Sequence, residues 1–307
     1  MEISLALGGG GVRGVAHLGV IRTLEKHDFK IRAIAGTSAG GLVGAVYAAG
    51  ISTEEIELAF NEIKQDWTFA RNSYDNPSLL GLSGIAQKLS VLLGEKRFED
   101  LKIPFAATAV SLKSGKEIIL TKGKVIDAVM ATIAIPGVFP CQEIGGRVLM
   151  DGGVLDPLPV QVARWMKPSL PVVAVTLHEI PEGWTPDDIA MPMPVPGPQQ
   201  IIDRLAKLRP VQAFKIFSRS TDVSGQHMTD LIIQLYKPEI IVRPRVGHIG
   251  VLQKIDTAEI IQTGINATET TIQEIKSEAN WIRKIQRRVR NRILPVNLPK
   301  YWENIEE

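Results

Sequence analysis

The chain has 307 residues, of which 45% are hydrophobic and 22% are charged, and its formal net charge at pH 7 is +2. These values indicate a globular protein with a full core and exclude a disordered or fibrous chain. A net charge this small gives no reason to expect nucleic acid as a partner. The single cysteine, Cys141, excludes an intrachain disulfide, and no metal or other cofactor is expected. No signal peptide is recognised at the amino terminus, so we expect a cytoplasmic protein.

The first predicted element is a short strand at residues 3–7, followed by a glycine-rich loop at residues 8–14 and a helix. Such a loop exposes backbone N–H groups beside a helix N-terminus, which favours anion binding. Its glycines also satisfy the G-x-G-x-x-G pattern of dinucleotide-binding oxidoreductases. That alternative requires an acidic residue at the end of the second strand, which instead ends in Ile34, Ala35 and Gly36.

The second strand leads through Gly-x-Ser-x-Gly into a helix of small residues, all within residues 31–50. Gly36 and Gly40 leave room on either side of Ser38 for a sharp strand-to-helix turn. A transmembrane helix and a simple helix cap are the alternatives, and the abundance of small residues argues against the first. Because neighbouring parallel strands end at one edge of a sheet, we expect Ser38 and the glycine loop to face one crevice.

A third motif ends a later strand. Strands are predicted at residues 104–110 and 117–121, helices at 84–93 and 125–133, and a hairpin turn at Gly145 and Gly146. The hairpin's second strand ends at Asp151, which two glycines follow. An aspartate in this position is by itself a turn former or a helix cap. The other motifs must therefore decide its role.

The three motifs, in this order, resemble those of the patatin-like phospholipases, especially the bacterial branch related to the catalytic domain of neuropathy target esterase. The resemblance is dense over residues 3–160 and implies an α/β protein of three layers, α/β/α, with a mainly parallel sheet. It also implies a Ser-Asp dyad hydrolase without a catalytic histidine. The implied site comprises Ser38 and Asp151 as catalytic residues, Gly9, Gly10 and Gly11 at the oxyanion with Arg13 in support, and the turn glycines Gly36, Gly40, Gly152 and Gly153. Asp156 stands where an asparagine is common in the family.

On this resemblance, we expect Asp151 to take the proton of Ser38 directly, with burial raising its basicity. The expected substrates are phospholipids or lysophospholipids, and other acyl esters are the alternative. An exposed first-turn cation is the alternative for Arg13, although it is unfavourable at a helix N-terminus. The histidines that follow the acid are His178, His227 and His248, and each is expected to be an ordinary surface or core residue.

We expect one domain over residues 1–307, with an insertion at about 181–236 and helices at about 257–294. Prolines in the insertion exclude a regular helix or a central strand at 181–198, and short helices are expected at 199–208 and 212–218. This insertion is either an apolar lid or a loop with core helices. The helix at 282–294 is basic and amphipathic. It either rests on anionic lipid at the membrane surface, or docks its apolar stripe on the domain.

Overall fold

The computed structural model describes residues 1–65, 78, 81–178, 209–251, 253, 255–293 and 302–304. Its centre is a nine-stranded sheet in which the main path runs β5-β6-β3-β2-β1-β7-β8. The strands are β1 (Glu2–Leu7), β2 (Lys30–Gly36), β3 (Phe105–Ser111), β4 (Glu117–Leu120), β5 (Gln142–Ile144), β6 (Arg147–Asp151), β7 (Val172–Val175), β8 (Ile240–Val242) and β9 (Trp302–Asn304). The contiguous strands β3, β2, β1, β7 and β8 are parallel, whereas β6 and β4 run antiparallel to β3.

Helices cover both faces of the sheet. They are α1 (Ala16–Lys26), α2 (Ala39–Ala48), α3 (Thr53–Gln65), α4 (Ser83–Leu93), α5 (Val125–Thr132), α6 (Val160–Met166), α7 (Arg209–Tyr236), α8 (Thr257–Glu278) and α9 (Trp281–Ile293). Successive side chains of a strand point to opposite faces. Leu5 and Leu7 of β1 accordingly pack with α1, α2, α5 and α8, whereas Ala6 packs with α6 and α7. This is the expected three-layer α/β/α fold.

Several local predictions can be compared with the structure. A capping box begins α3, where the Ser52 amide donates to Glu55 and the Glu55 amide donates to Ser52 Oγ. The prediction for the insertion is partly wrong, since α7 is one long helix where a short one was expected at 212–218. The predicted helix at 199–208 and the loop at 181–198 lie outside the described residues. The single-domain organisation stays a prediction.

The last helix, α9, is oriented opposite to the expectation for an amphipathic helix. Arg287 points inward and is only 6% exposed, whereas Ile282, Ile285 and Val289 are 48–54% exposed. The expectation that α9 docks this apolar stripe on the domain is therefore wrong. Ion pairs bind the inward face instead, and Lys284 contacts Glu2 at 2.6 Å. Within the described ranges, every helix is too short or too polar to span a bilayer.

Candidate active site

The turn between β2 and α2 holds Ser38 in an unusual backbone conformation. Ser38 has φ 54° and ψ −122°, a combination that a non-glycine residue adopts only at a cost in conformational energy. The turn is tight because Gly36 and Gly40 let α2 approach the strands, and a Cβ at Gly40 would overlap the Leu7 carbonyl. The Ser38 amide is fixed by a 2.9 Å hydrogen bond to Thr132 Oγ1. These contacts hold the hydroxyl at the carboxyl end of the sheet.

Asp151 lies beside this hydroxyl, at the end of β6. Its side chain is 5% exposed, faces the Ser38 hydroxyl and accepts a hydrogen bond from the Gly153 amide at 2.7 Å. Burial raises the pKa of Asp151 to about 6, although the Ser38 hydroxyl and the Gly153 amide act in the opposite direction. Gly152 lets the chain turn directly against Thr108. The structure thus brings the predicted serine and aspartate together.

The glycine loop reaches the same cavity from the end of β1. The Gly9 amide donates to the Pro157 carbonyl at 3.0 Å, and Val12 donates to Val251 at 2.9 Å. Because the Gly9 amide already donates to Pro157, Gly9 is not an oxyanion donor, contrary to the prediction. Gly9 supplies space instead, because a Cβ there would lie 3.2 Å from Ser38 Cβ. Among the described residues, no backbone carbonyl accepts a hydrogen bond from the Gly10 or Gly11 amide.

Arg13 anchors the glycine loop from behind. Its side chain is 3% exposed, so the alternative of an exposed cation is wrong. Nε donates to the Ile249 carbonyl, and Nη1 and Nη2 donate to the two Asp222 carboxylate oxygens at 3.3 and 3.1 Å. The partner residue is 209 positions away on α7. Periodicity in the sequence offers no signal for such a contact.

The cavity around Ser38 has a volume of about 820 Å³ including its open mouth. One wall is mainly apolar and includes Ile135, Pro136, Val138 and Val154. The facing wall comes from α7, at Phe217, Ser218, Thr221, Asp222 and Gly225. Within the described ranges, no cluster of three or more His, Cys, Asp or Glu side chains could hold a metal ion.

His178 also lines this cavity, contrary to the expectation that it is an ordinary residue away from Ser38. Burial lowers the pKa of His178 to about 4, so its ring is neutral at pH 7. It makes no side-chain hydrogen bond to Ser38 or to Asp151 within the described part of the chain. His227 and His248 are exposed, as expected.

Two further buried groups are His17, for which the sequence predicts no role, and Asp156. His17 Nε2 lies 2.9 Å from the Gly8 carbonyl, and burial lowers the pKa of His17 to about 4, so the neutral ring acts as a donor to the loop. Asp156 accepts a hydrogen bond from the Leu158 amide at 3.2 Å, which is the turn function expected of an asparagine. Burial raises the pKa of Asp156 to about 6, and the buried Glu117 is its hydrogen-bond partner.

Comparison with known proteins gives concordant matches. A family model described as patatin-like phospholipase matches residues 5–164. An uncharacterized NTE family protein of Mycobacterium tuberculosis is 38% identical over 180 residues, which are 58% of this chain and 49% of that protein. Patatin-like phospholipase domain-containing protein 7 of Rattus norvegicus is 31% identical over 171 residues, 53% of this chain and 13% of that protein. The chain thus covers half or less of the length of these curated relatives.

Among solved structures, VipD from Legionella pneumophila matches with a TM-score of 0.46 and 13% sequence identity, over 90% of this chain and 66% of that chain.

Proposed function

The chain belongs to the patatin-like phospholipase family, and from this premise we propose that it is a serine acyl hydrolase with Ser38 as nucleophile and Asp151 as base. The observation that carries the proposal is that the Ser38 hydroxyl and the buried Asp151 carboxylate face each other in one cavity. A serine hydroxyl is a weak nucleophile until a base accepts its proton. A pKa of about 6 leaves Asp151 ionised at pH 7 and more basic than an ordinary carboxylate.

In the proposed first step, Ser38 Oγ attacks the ester carbonyl while its proton passes to Asp151. The carbonyl oxygen becomes an oxyanion, which the amides of Gly10 and Gly11 stabilise by about 3 kcal/mol per donor. Asp151 then gives its proton to the leaving alcohol, and an acyl-enzyme results. In the second step, Asp151 accepts a proton from water as the water attacks the acyl-enzyme. Asp151 then returns this proton to Ser38 Oγ, and the acid is released.

The expected substrates are acyl esters of phospholipids or lysophospholipids. The apolar wall at Ile135, Pro136, Val138 and Val154 supports the binding of an acyl chain beside Ser38. A carboxylesterase of other acyl esters is the alternative. Turnover of a phospholipid, a lysophospholipid and an ethyl ester with one shared acyl chain distinguishes the two.

A fluorophosphonate probe tests the nucleophile. We expect it to label the wild-type protein and not the Ser38→Ala variant, and we expect the same variant to lose hydrolysis of nitrophenyl esters. Ser90→Ala, on the exposed side of α4, is the matched control and should retain both. Near-normal turnover by Ser38→Ala would contradict the proposal.

We infer that a contact of α9 with anionic lipid would attach the protein to the membrane surface but would not bring lipid substrate to Ser38. The inward face of α9 binds Glu2 and Glu239, which lie at the starts of β1 and β8, whereas Ser38 follows the end of β2. A strand such as β1 spans roughly 17–20 Å. The apolar stripe of α9 therefore faces away from the cavity. Liposome sedimentation that is indifferent to anionic lipid and salt would exclude this contact.

A further inference from the structure

The amides of Gly10 and Gly11 lie in a stretch of the glycine loop that few hydrogen bonds hold in place. Gly9 and Val12 are held by backbone hydrogen bonds, and the Arg13 amide reaches back to the Gly10 carbonyl at 3.3 Å. Gly11 has φ +59°, and Gly10 has φ 159° with ψ 15°. The directions of the two amides therefore depend on where Arg13 is held.

Arg13 is held by its side chain. The bidentate pair with Asp222 fixes both the position and the plane of the guanidinium, which a single contact would not do. Asp222 also neutralises the buried Arg13 guanidinium. Arg13 lies in the turn before α1, close to a helix N-terminus, where an unpaired positive charge is unfavourable. A third hydrogen bond, from Arg13 Nε to the Ile249 carbonyl, also holds this side chain.

Asp222 belongs to the same face of α7 that forms the cavity wall. Ser218, Thr221, Asp222 and Gly225 follow the helical spacing that places side chains on one face, and all four line the cavity. The ion pair consequently joins the helix that forms this cavity wall to the glycine loop.

We propose that Asp222 is a positioning residue, which through Arg13 aims the Gly10 and Gly11 amides at the oxyanion. This role rests on the proposed acyl hydrolase function. It goes beyond the sequence motifs, because Asp222 lies outside all of them. Its action is on the transition state, where negative charge develops at the carbonyl oxygen, and not on binding of the uncharged ester.

The test is Asp222→Asn, which keeps the shape of the side chain and removes its charge. We expect kcat for a nitrophenyl ester to fall about tenfold while KM changes less than about twofold, because loss of a complete oxyanion donor costs about 10²–10³ in kcat. A boronic acid forms a tetrahedral, anionic adduct with serine, so its Ki should rise by the same factor as kcat/KM falls. Asp222→Glu, which restores the charge, should recover part of the rate. Asp230→Asn removes a charge from the same helix and should change neither kcat nor the Ki of the boronic acid.

Arg13→Lys provides a second measurement, since lysine cannot make the bidentate contact. If the two residues act as one unit, the double variant Arg13→Lys/Asp222→Asn should lose no more activity than Arg13→Lys alone. Multiplicative losses in the double variant would overturn the proposal. So would a lower melting temperature of Asp222→Asn with kcat unchanged. Absence of esterase activity in the wild-type protein would overturn the proposed function itself, which is a different result.

Discussion

The two edges of the sheet bury carboxylates in contrasting ways. At the amino edge, where β1, β7 and β8 begin, Glu239 contacts Arg164 at 3.1 Å and Arg287 at 3.6 Å and accepts the Val172 amide. At the carboxyl edge, neither Asp151 nor Asp156 forms an ion pair with any described lysine or arginine. Hydroxyl, amide and carboxyl groups contact them instead.

The difference shows that carboxylates at one edge of the sheet stabilise the fold, whereas those at the other edge can take part in a reaction. A buried carboxylate that faces cations and backbone donors forms ion pairs that hold neighbouring elements together. One that faces only neutral donors has its pKa raised, and it can accept a proton near neutral pH. The amino edge is therefore expected to respond to mutation in stability, and the carboxyl edge in activity and pH dependence.

The largest expected effect is that of Asp151→Asn. We expect hydrolysis of nitrophenyl esters to fall by at least about 10³-fold, because the amide cannot accept the Ser38 proton. The same variant should be more stable than the wild type at pH 8, by up to about 3 kcal/mol, because it removes a buried charge whose pKa is raised from 3.8 to about 6. Kinetics and thermal unfolding measure the two effects. Near-normal turnover would contradict the dyad, and lower stability at pH 8 would contradict the contrast between the edges.

Glu239→Gln should give the opposite pattern. Removing one partner of a buried ion pair leaves Arg164 and Arg287 with reduced compensation, which costs about 3–5 kcal/mol in comparable sites. The kcat of the folded protein should stay within about twofold of the wild type, because Glu239 lies at the edge away from Ser38. Urea unfolding and active-site-titrated kinetics measure the two effects. The control is Glu274→Gln on the exposed side of α8, which should change neither. A tenfold loss of kcat would show that the edges are coupled.

The pH profile tests the carboxyl edge alone. Only ionised Asp151 can act as a base, so kcat/KM should fall about tenfold per pH unit below an apparent pKa of about 6 and should be level above it. A profile that stays level down to pH 4 would mean that burial does not raise this pKa. Thermal unfolding in parallel separates the loss of activity from acid denaturation.

How far the sequence predicts this arrangement depends on the range of the contacts. Ser38, Asp151 and the glycine loop occupy local motifs whose turns require specific residues, and the family resemblance that these motifs carry implies the three layers. Asp222 and His178 reach the cavity through contacts between distant parts of the chain, which no spacing reveals. The sequence leaves the orientation of α9 open between two alternatives, because apolar periodicity marks a stripe without showing which side of the helix is covered. Here the buried ion pairs of Arg287 determine the side.

The smallest expected effect is that of Asp156→Asn, which puts the residue common in the family in place of a buried acid. The folded-state pKa of Asp156, about 6, lies above the ordinary value of 3.8, so the folded protein binds the extra proton more tightly. Wild-type stability therefore decreases as pH rises from about 4 to 6 and stays reduced above that range. Asparagine keeps the acceptor for Leu158 without the charge. We expect the variant to gain up to about 3 kcal/mol at pH 8 and almost nothing at pH 4, with the half-buried Asp230→Asn as the control. An equal gain at both pH values would show that the effect comes from the turn and not from the charge of Asp156. Asp151, which the proposed reaction uses, would then be the one of these two carboxylates whose pKa burial raises.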